Sequence, residues 1–341
     1  MRIIIQGDWF DCQVIRDRVF LWDCDGYLVV LDIRDHIYKN MQESRNDIKY
    51  IFSKDVLEKF IVSYLRIKGG IYPLDSVYMG DHLYTATESG LFRRYLHKGA
   101  GIVVMQNGLS KKLTDIRFME LTARADMIAM AGASEGLFEL YNSNKYRITK
   151  SGHKVDEVAK GIYSVIKTYT KSVWYDKYDI ISMDKHGLQY RCRFNSNSKA
   201  DESGKILRNY IKKDFLGDSN IRLLPTMDQD WRTSREVYTI IDNDKGDVSY
   251  YFQIKYSQQP IQIASKPRRF LFGSFGMASE SKKELVVVDN DFKVKRIEGP
   301  ITRARVVSGF GKKNGLLVIV CKDQVIISDC ENDDYFTKCD S

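Results

Sequence analysis

The chain has 341 residues, of which 43% are hydrophobic and 29% charged, and its net charge is +8. This composition is typical of a globular chain with a sizeable core, and it excludes a long disordered chain. The longest apolar runs, such as residues 285–288, are too short to span a bilayer, and residues 1–8 lack the apolar stretch of a secretory signal.

One short pattern recurs about seven times along the chain. An apolar run is followed by a polar turn, which usually holds a glycine, and then by a run that alternates apolar and polar residues. Each copy predicts a β-hairpin, and hairpins spaced a few tens of residues apart are typical of propellers and similar arrays. The turns are centred at Gly26, Gly90, Gly136, Gly187, Gly246, Phe292 and Gln324.

The segment before the first hairpin, residues 2–6, has the composition of a strand. The spacing from Gln324 through both termini to Gly26 resembles the spacing between internal turns. We therefore expect residues 2–6 to complete the last blade and to satisfy the edge hydrogen bonds that an open array would expose.

The first gap between hairpins is long, and its pattern predicts a helical insertion over residues 35–66. Within it, Asp55 and Glu58 form a plausible N-cap pair for a helix over residues 55–65. Phe60 and Tyr64 lie on the apolar face of this helix at 3.6-residue spacing. That face either covers the flank of the array or docks a partner.

The later gaps leave room for two more strands beside each hairpin. The fold class we predict is therefore all-β: a single domain, residues 1–341, forming a seven-bladed β-propeller of four-stranded antiparallel blades. The third blade takes residues 118–123 as its inner strand and residues 146–149 as its outer strand, and residues 161–168 begin the fourth. The fifth and sixth blades have natural inner strands at residues 221–225 and 270–275.

Three turns resemble those of WD-repeat blades. Residues 23–32 place Asp25-Gly26 before an apolar strand that ends in Asp32, and residues 88–95 and 134–141 are similar. No Gly-His dipeptide opens the blades, so the resemblance is to a divergent β-propeller and to no particular family within that superfamily. It implies a rigid platform for protein partners, while some relatives host an enzyme or ligand site in the central channel.

The chemistry-bearing residues form no recognisable site. No two of the five histidines have metal-ligand spacing, and no Gly-x-Ser-x-Gly motif occurs. The acidic turn at residues 242–247 departs from the EF-hand pattern, and the segment 309–315 departs from the P-loop pattern. We therefore expect no catalytic residue, no metal and no cofactor.

The remaining signal is surface display. Trp231 and Arg232 lie in a long connection, and Arg268 and Arg269 form a basic group. Trp and Arg are enriched at interface hot spots, so these four residues join Phe60 and Tyr64 as candidate partner-binding residues, although Trp231 can equally pack beneath its loop.

Six cysteines without paired spacing predict free thiols and a cytoplasmic protein. The leading hypothesis is a non-catalytic scaffold that binds protein partners within a multi-subunit complex. One alternative is a nucleic-acid-associated subunit that uses its basic loops, and another is an enzyme or small-ligand binder at the central channel.

Overall fold

The computed structural model describes most of the chain, and every structural statement below concerns the described part. The described residues are 1–43, 49–66, 73–99, 102–124, 127–142, 146–148, 154–156, 161–176, 179–185, 189–194, 210–215, 221–222, 235–242, 247–254, 261–262, 269–273, 275–289, 293–310 and 312–330.

The secondary structure is almost entirely extended, and helices occur only near the start of the described chain. The first segment runs β1 (Arg2–Gln6), β2 (Trp9–Ile15), β3 (Arg18–Asp23), β4 (Tyr27–Leu31), α1 (Arg34–Glu43), β5 (Lys49–Phe52), α2 (Lys54–Leu57), a 3₁₀ turn (Glu58–Phe60) and β6 (Ile61–Arg66).

The middle of the chain continues as strands. It runs β7 (Asp75–Met79), β8 (His82–Thr87), β9 (Gly90–Gly99), β10 (Ile102–Thr114), β11 (Glu120–Arg124), β12 (Met127–Ala131), β13 (Leu137–Tyr141), β14 (Tyr146–Ile148), β15 (Lys154–Asp156), β16 (Gly161–Ile166), β17 (Ser172–Asp176), β18 (Asp179–Met183), β19 (Gln189–Phe194) and β20 (Tyr210–Phe215).

The last third of the chain also consists of strands in its described residues. It runs β21 (Ile221–Arg222), β22 (Arg235–Asp242), β23 (Asp247–Ile254), β24 (Ile261–Gln262), β25 (Arg269–Gly273), β26 (Gly276–Glu280), β27 (Glu284–Asp289), β28 (Val294–Glu298), β29 (Ile301–Gly309), β30 (Lys312–Cys321) and β31 (Gln324–Ser328).

These strands form a series of sheets, which we number in chain order and in which every pair but β1–β5 is antiparallel among the described residues. Sheet 1 has the order β2-β3-β4-β6, sheet 2 β10-β9-β8-β7, sheet 3 β11-β12-β13-β16, sheet 4 β17-β18-β19-β20, sheet 5 β21-β22-β23-β24, sheet 6 β25-β26-β27-β28 and sheet 7 β29-β30-β31-β1-β5. A separate two-stranded ribbon joins β14 and β15.

The chain divides into two compact units. Unit one comprises Met1–Tyr72, Lys98–Asn107 and Asn220–Ser341, and it holds sheets 1, 5, 6 and 7. Unit two comprises Pro73–His97 and Gly108–Ser219, and it holds sheets 3 and 4 and most of sheet 2. The single-domain organisation over residues 1–341 stays a prediction.

The all-β architecture of antiparallel sheets is confirmed, but the count of seven four-stranded blades is wrong. Among the described residues, six sheets are built from strands of three or more residues throughout. In sheet 5 the central hairpin is flanked by β21 and β24, which have two residues each. For β24 the sequence offers a reason: Pro260 directly precedes it, and proline donates no hydrogen bond to a ladder.

The N-terminal strand completes the last sheet, as the sequence predicts. β1 pairs antiparallel with β31, with Arg2 opposite Ser328 and Gln6 opposite Gln324. β5 then adds to the other edge of β1 in parallel, which the sequence does not predict. Ile3 and Ile5 of β1 are fully buried in a cluster with Val325 and Ile327, so burial of their apolar side chains favours this register.

The helical insertion over residues 35–66 is wrong in its second half. α1 is helical, but β5 is a strand, α2 is a single turn, and residues 61–66 form β6. The β-branched pair Ile61-Val62 favours a strand, and the edge of β4 offers it backbone partners.

The boundary between the third and fourth predicted blades is shifted. Residues 146–149 do not form the outer strand of sheet 3, because β14 pairs only with β15. The outer strand is β16, whose residues we assigned to the fourth blade, and β17 opens sheet 4 instead. Three closely spaced apolar runs compete here, and short-range pattern does not decide which of them pairs with β13.

Apolar side chains fill the space between neighbouring sheets within each unit. In unit one, one cluster joins sheets 7 and 1 and another joins sheets 6 and 7. In unit two, one cluster joins sheets 2 and 3 and another joins sheets 3 and 4. Middle strands such as β12 are therefore buried on both faces, which is expected for sheets that stack face to face.

Acidic side chains on first and second strands link neighbouring sheets. Asp75 Oδ2 accepts a hydrogen bond from the Leu121 N–H at 2.8 Å, and Glu120 Oε2 accepts one from the Val173 N–H at 3.2 Å. In unit one, Glu280 Oε2 accepts from the Ala304 N–H at 2.9 Å. These carboxylates satisfy backbone donors that would otherwise be buried without a partner.

Candidate functional site

The structure describes three of the six residues predicted to bind a partner. Phe60 ends the 3₁₀ turn and is half-buried, whereas Tyr64 lies on β6 and is exposed. Trp231, Arg232 and Arg268 lie outside the described residues. Arg269 opens β25 opposite Glu280, and its side chain is not described. The role of all six residues in partner binding stays a prediction.

Phe60 belongs to an aromatic cluster that supports the chain between α1 and β6. Its ring lies edge-on to Phe52, with centroids 5.4 Å apart, and edge-on to His36 at 5.7 Å. His36 also contacts Tyr50 and Phe52 in edge geometry. Since Tyr50 and Phe52 are buried in the core cluster between sheets 7 and 1, Phe60 extends that core. Of its two sequence interpretations, the covering role fits these contacts.

The most apolar exposed surface of unit one is the strand β6. We call residues Ile61–Arg66 the β6 edge, because β6 is the terminal strand of sheet 1. Ile61, Val62 and Tyr64 are 37%, 47% and 55% exposed. Six of the nine large exposed hydrophobic side chains among the described residues lie between Tyr38 and Tyr64. The apolar exposure is therefore concentrated rather than scattered.

Local pairing explains why these side chains are exposed. β6 pairs with β4 on one side only, and the register shifts at Val62, so that Leu31 faces Ile61 while Val30 faces Ser63. The Tyr64 ring stacks on Tyr27 with centroids 4.7 Å apart. This stacking fixes the outer strand on the sheet while one face of Tyr64 stays accessible.

Another terminal strand of unit one, β28 of sheet 6, offers a direct contrast. β28 carries Lys295, Arg296 and Glu298 next to its exposed Val294, and Arg296 pairs with Glu284 at 3.0 Å. Charged side chains on an edge strand discourage pairing with another chain. The β6 edge has no charged residue before Arg66, so it lacks that protection.

An ion cluster fixes the start of α1 next to sheet 1. The Arg18 Nη2 atom lies 2.6 Å from Asp32 Oδ2, and the Arg34 Nε atom lies 2.8 Å from Asp32 Oδ1. The hydrogen bond from Arg34 lowers the pKa of Asp32 most, burial opposes it, and the hydrogen bond from Arg18 and the charges of both arginines bring the pKa to about 2. Asp32 is therefore ionised at neutral pH and binds both guanidinium groups.

The cysteines provide no activated nucleophile among the described residues. Burial raises the pKa of the Cys12 and Cys330 thiols. Cys24 is partly exposed, but burial and its hydrogen bond to Asp8, 3.1 Å away, raise its pKa to about 11. The expectation of six free thiols needs one correction: Cys12, Cys24, Cys192 and Cys330 carry free thiols, whereas Cys321 is disulfide-bonded.

The described residues offer neither a metal site nor an exposed basic patch at the two groups below. No group of three or more His, Cys, Asp or Glu side chains in the described part of the chain is arranged to hold a metal ion. Two of the described basic groups are paired: Lys112 with Asp115, and Arg117 with Glu88 at 2.8 Å. The nucleic-acid alternative therefore gains no support from them.

Comparison with known proteins supports the fold and nothing finer. A scan against protein-family models and a search of curated proteins both find no match. Among solved structures, the β-propeller domain of Myceliophteria thermophila Cps50 (Swd1) superimposes with a TM-score of 0.51 at 10% identity, over 96% of this chain and 99% of that one. The chain has a β-propeller fold.

A second solved structure has a similar score. The N-terminal domain of Nup159 has a TM-score of 0.50 at 12% identity, over 95% of this chain and 89% of that one. Identities this low show the fold alone, so this β-propeller is a divergent one without a specific family. None of the helices that the structure describes is long and apolar enough to cross a membrane.

Sequence reasoning missed most of the β6 edge. Helical periodicity places Ile61 and Tyr64 on one face of a helix with Phe60. In the structure both residues lie on a strand, and the register shift at Val62 sets them opposite Leu31 and Val29 of β4. The β-branched pair Ile61-Val62 was the available signal for a strand. Ile51, which is 53% exposed on β5, could not be identified because β5 pairs with a strand that lies more than 40 residues earlier.

Proposed function

We propose that the chain is a non-catalytic β-propeller scaffold that binds a protein partner within a multi-subunit complex. The observation that carries the proposal is the β6 edge: a terminal strand with three exposed hydrophobic side chains and no charge before Arg66. Phe60 supports this strand from the core, and Tyr64 is the partner-binding candidate that the strand displays.

The binding mode we propose is strand addition. A terminal strand presents backbone N–H and C=O groups on the side away from its neighbour, and an extended peptide pairs with them. Ile61, Val62 and Tyr64 then provide apolar contacts above and below the new strand, which give the interaction its specificity. The partner's contributing segment is therefore extended and apolar at alternate positions.

The arrangement argues for binding rather than catalysis. The free thiols of the described residues have raised pKa values or lie buried, and the described ion cluster at Asp32 is saturated by Arg18 and Arg34. A propeller fold is compatible with enzymes as well as scaffolds, so the proposal depends on the surface and not on the fold. Cytoplasmic localisation stays a prediction.

The proposal is tested with the full chain, expressed at a native level and recovered by affinity purification with quantitative mass spectrometry. The double variant Ile61→Lys/Val62→Lys places two charges on the β6 edge and leaves the Tyr64–Tyr27 stack in place. We expect it to lose at least 90% of a partner that the unmodified chain retains, while circular dichroism stays unchanged, because both side chains are exposed.

Val294→Lys is the matched control, since Val294 is 41% exposed on a terminal strand of the same unit. The control is expected to retain the partner in full. Equal recovery of every partner by the double variant and the control would refute binding at the β6 edge. Turnover of a small molecule by the purified monomer would refute the non-catalytic role.

A further inference from the structure

A cluster of hydrogen-bond donors lies in unit two, between sheets 2 and 3. Tyr84 on β8 faces Arg93 on β9, and His82 faces Tyr95 two positions along the same pair of strands. Tyr84 packs in the apolar cluster that includes Leu140 of β13, and Asn142 follows β13 directly. The strand ends therefore bring Tyr84, Arg93 and Asn142 to one place, although Asn142 is 58 residues from Tyr84.

The hydroxyl oxygen of Tyr84 is the meeting point of this cluster. Asn142 Nδ2 donates to it at 3.3 Å, and the Arg93 guanidinium is within hydrogen-bonding reach of the same oxygen. Tyr84 is fully buried, and burial raises its pKa, so the phenol keeps its proton at neutral pH. Because the oxygen already accepts from Arg93 and Asn142, its own O–H is left to donate.

The described residues supply no hydrogen-bond acceptor for the free donors of this cluster. Among the described residues no carboxylate pairs with Arg93 and no group accepts from the Tyr84 hydroxyl, whereas Arg18, Arg34, Arg117, Arg296 and Arg305 each pair with an acidic side chain. Asp75 of the same sheet is used by the Leu121 N–H, and Glu139 of β13 accepts from Tyr175. A guanidinium, an amide and a buried phenol without an acceptor are the donor set that binds an oxyanion.

The charges of the neighbouring side chains also favour the binding of an anion. Burial and the nearby Arg93 lower the pKa of His82, while Asp81 opposes them, so His82 is a neutral imidazole at pH 7. The positive charge of Arg93 is therefore the main charge of the cluster. Arg93, His82 and Tyr95 are partly exposed, which leaves the cluster open to a small solute.

We propose that Arg93, Asn142 and Tyr84 form a binding site for an oxyanion, a phosphate or carboxylate group. Arg93 supplies two parallel N–H donors, and the Tyr84 hydroxyl and the second N–H of Asn142 supply two more. This site is independent of the β6 edge, which lies in the other unit.

The test is a titration of the full chain with sodium phosphate and, separately, sodium acetate, with ionic strength held constant by sodium chloride. We expect a saturable rise of several degrees in the melting temperature with at least one of the two anions. A response to phosphate alone would show that the site takes a phosphoryl group, and a response to acetate, alone or with phosphate, would show that a carboxylate is sufficient. No saturable response to either anion up to 50 mM would overturn the proposal.

Variants decide whether the response comes from this cluster. Arg93→Gln is expected to weaken apparent anion affinity at least tenfold, and Arg117→Gln, on a paired and half-exposed arginine of the same unit, is expected to leave it unchanged. Asn142→Asp supplies the missing acceptor from within, so it should raise the melting temperature without anion and abolish the anion response. Anion binding that survives both Arg93→Gln and Asn142→Asp would place the site elsewhere and overturn the proposal.

Discussion

At the scale of single residues, unit one depends on carboxylates that bind two donors at once. Asp32 pairs with Arg18 and Arg34, and Asp11 holds Arg305 across sheets 1 and 7 at 2.6 and 3.0 Å. Arg18 and Asp11 are almost wholly buried, so the loss of either partner would leave a charge without compensation in the core. The buried pairs are therefore sensitive points for stability.

The substitution Asp32→Asn tests this at one position. It removes the carboxylate that the Arg18 and Arg34 guanidinium groups share, and we expect the free energy of unfolding in urea at pH 7 to fall by about 3 kcal/mol. The pKa of Asp32 is lowered to about 2, so its stabilising effect is present above its unfolded value near 3.8 and is lost as the pH falls toward 2.

The difference in free energy of unfolding between the unmodified chain and the Asp32→Asn variant should therefore shrink between pH 4 and pH 2. Asp55→Asn, at an exposed position of α2, is the control and should leave stability unchanged. A difference that stays constant down to pH 2 would show that the charge of Asp32 is not the cause.

Cys24 provides a second prediction at this scale. Its raised pKa of about 11 leaves about a hundredfold less thiolate at pH 8 than an ordinary cysteine has, so alkylation by iodoacetamide should be correspondingly slow. Asp8→Asn removes the hydrogen-bonded carboxylate and should speed the reaction severalfold, measured by mass spectrometry of the Cys24 peptide. Asp35→Asn should have no effect, and an equal acceleration by both variants would contradict the assigned cause.

At the scale of elements, hairpin turns and strand edges decide the architecture. The turn glycine Gly136 has φ of +101°, and a Cβ there would overlap the Ile166 carbonyl oxygen of the adjacent strand β16. Only glycine fits this combination of backbone angle and close approach. The recurrent glycine in the sequence pattern therefore reports a real constraint on the hairpin.

Gly136→Ala is accordingly expected to destabilise the protein by about 3 kcal/mol, because both the angle and the β13–β16 pairing must change. Gly80→Ala is the matched control in the same unit: Gly80 has φ of +62°, with open space around its Cα, and should cost about 1 kcal/mol. Thermal and urea unfolding measure the loss of stability in both variants. Equal losses of stability in Gly136→Ala and Gly80→Ala would show that the close approach to Ile166 contributes nothing.

The elements also show how far sequence reasoning extends. The hairpins β8–β9, β12–β13 and β27–β28 could be predicted because the two strands and their turn follow one another directly in the sequence. Pairings between segments farther apart in the sequence were harder to predict, because β14 and β16 offered similar apolar runs near β13. The edge of β6 was assigned to a helix because Phe60, Ile61 and Tyr64 fit a helical period in isolation.

At the scale of the whole molecule, the β-propeller fold and the pairing of β1 with β31 followed from the repeat and from its spacing across the termini. The number of complete blades did not follow, since sheet 5 has the expected hairpin but only two-residue flanking strands. The donor cluster of Tyr84, Arg93 and Asn142 could not be predicted either, because it forms only when sheets 2 and 3 pack together.

The central claim is that a partner binds by adding a strand to the β6 edge, and hydrogen–deuterium exchange of the chain with and without its captured partner tests it most directly. Backbone amides of Ile61–Arg66 should exchange at least tenfold more slowly in the complex, while those of the charged terminal strand β28 stay unchanged. Unaltered exchange over Ile61–Arg66, with slowing elsewhere in the chain, would contradict the account.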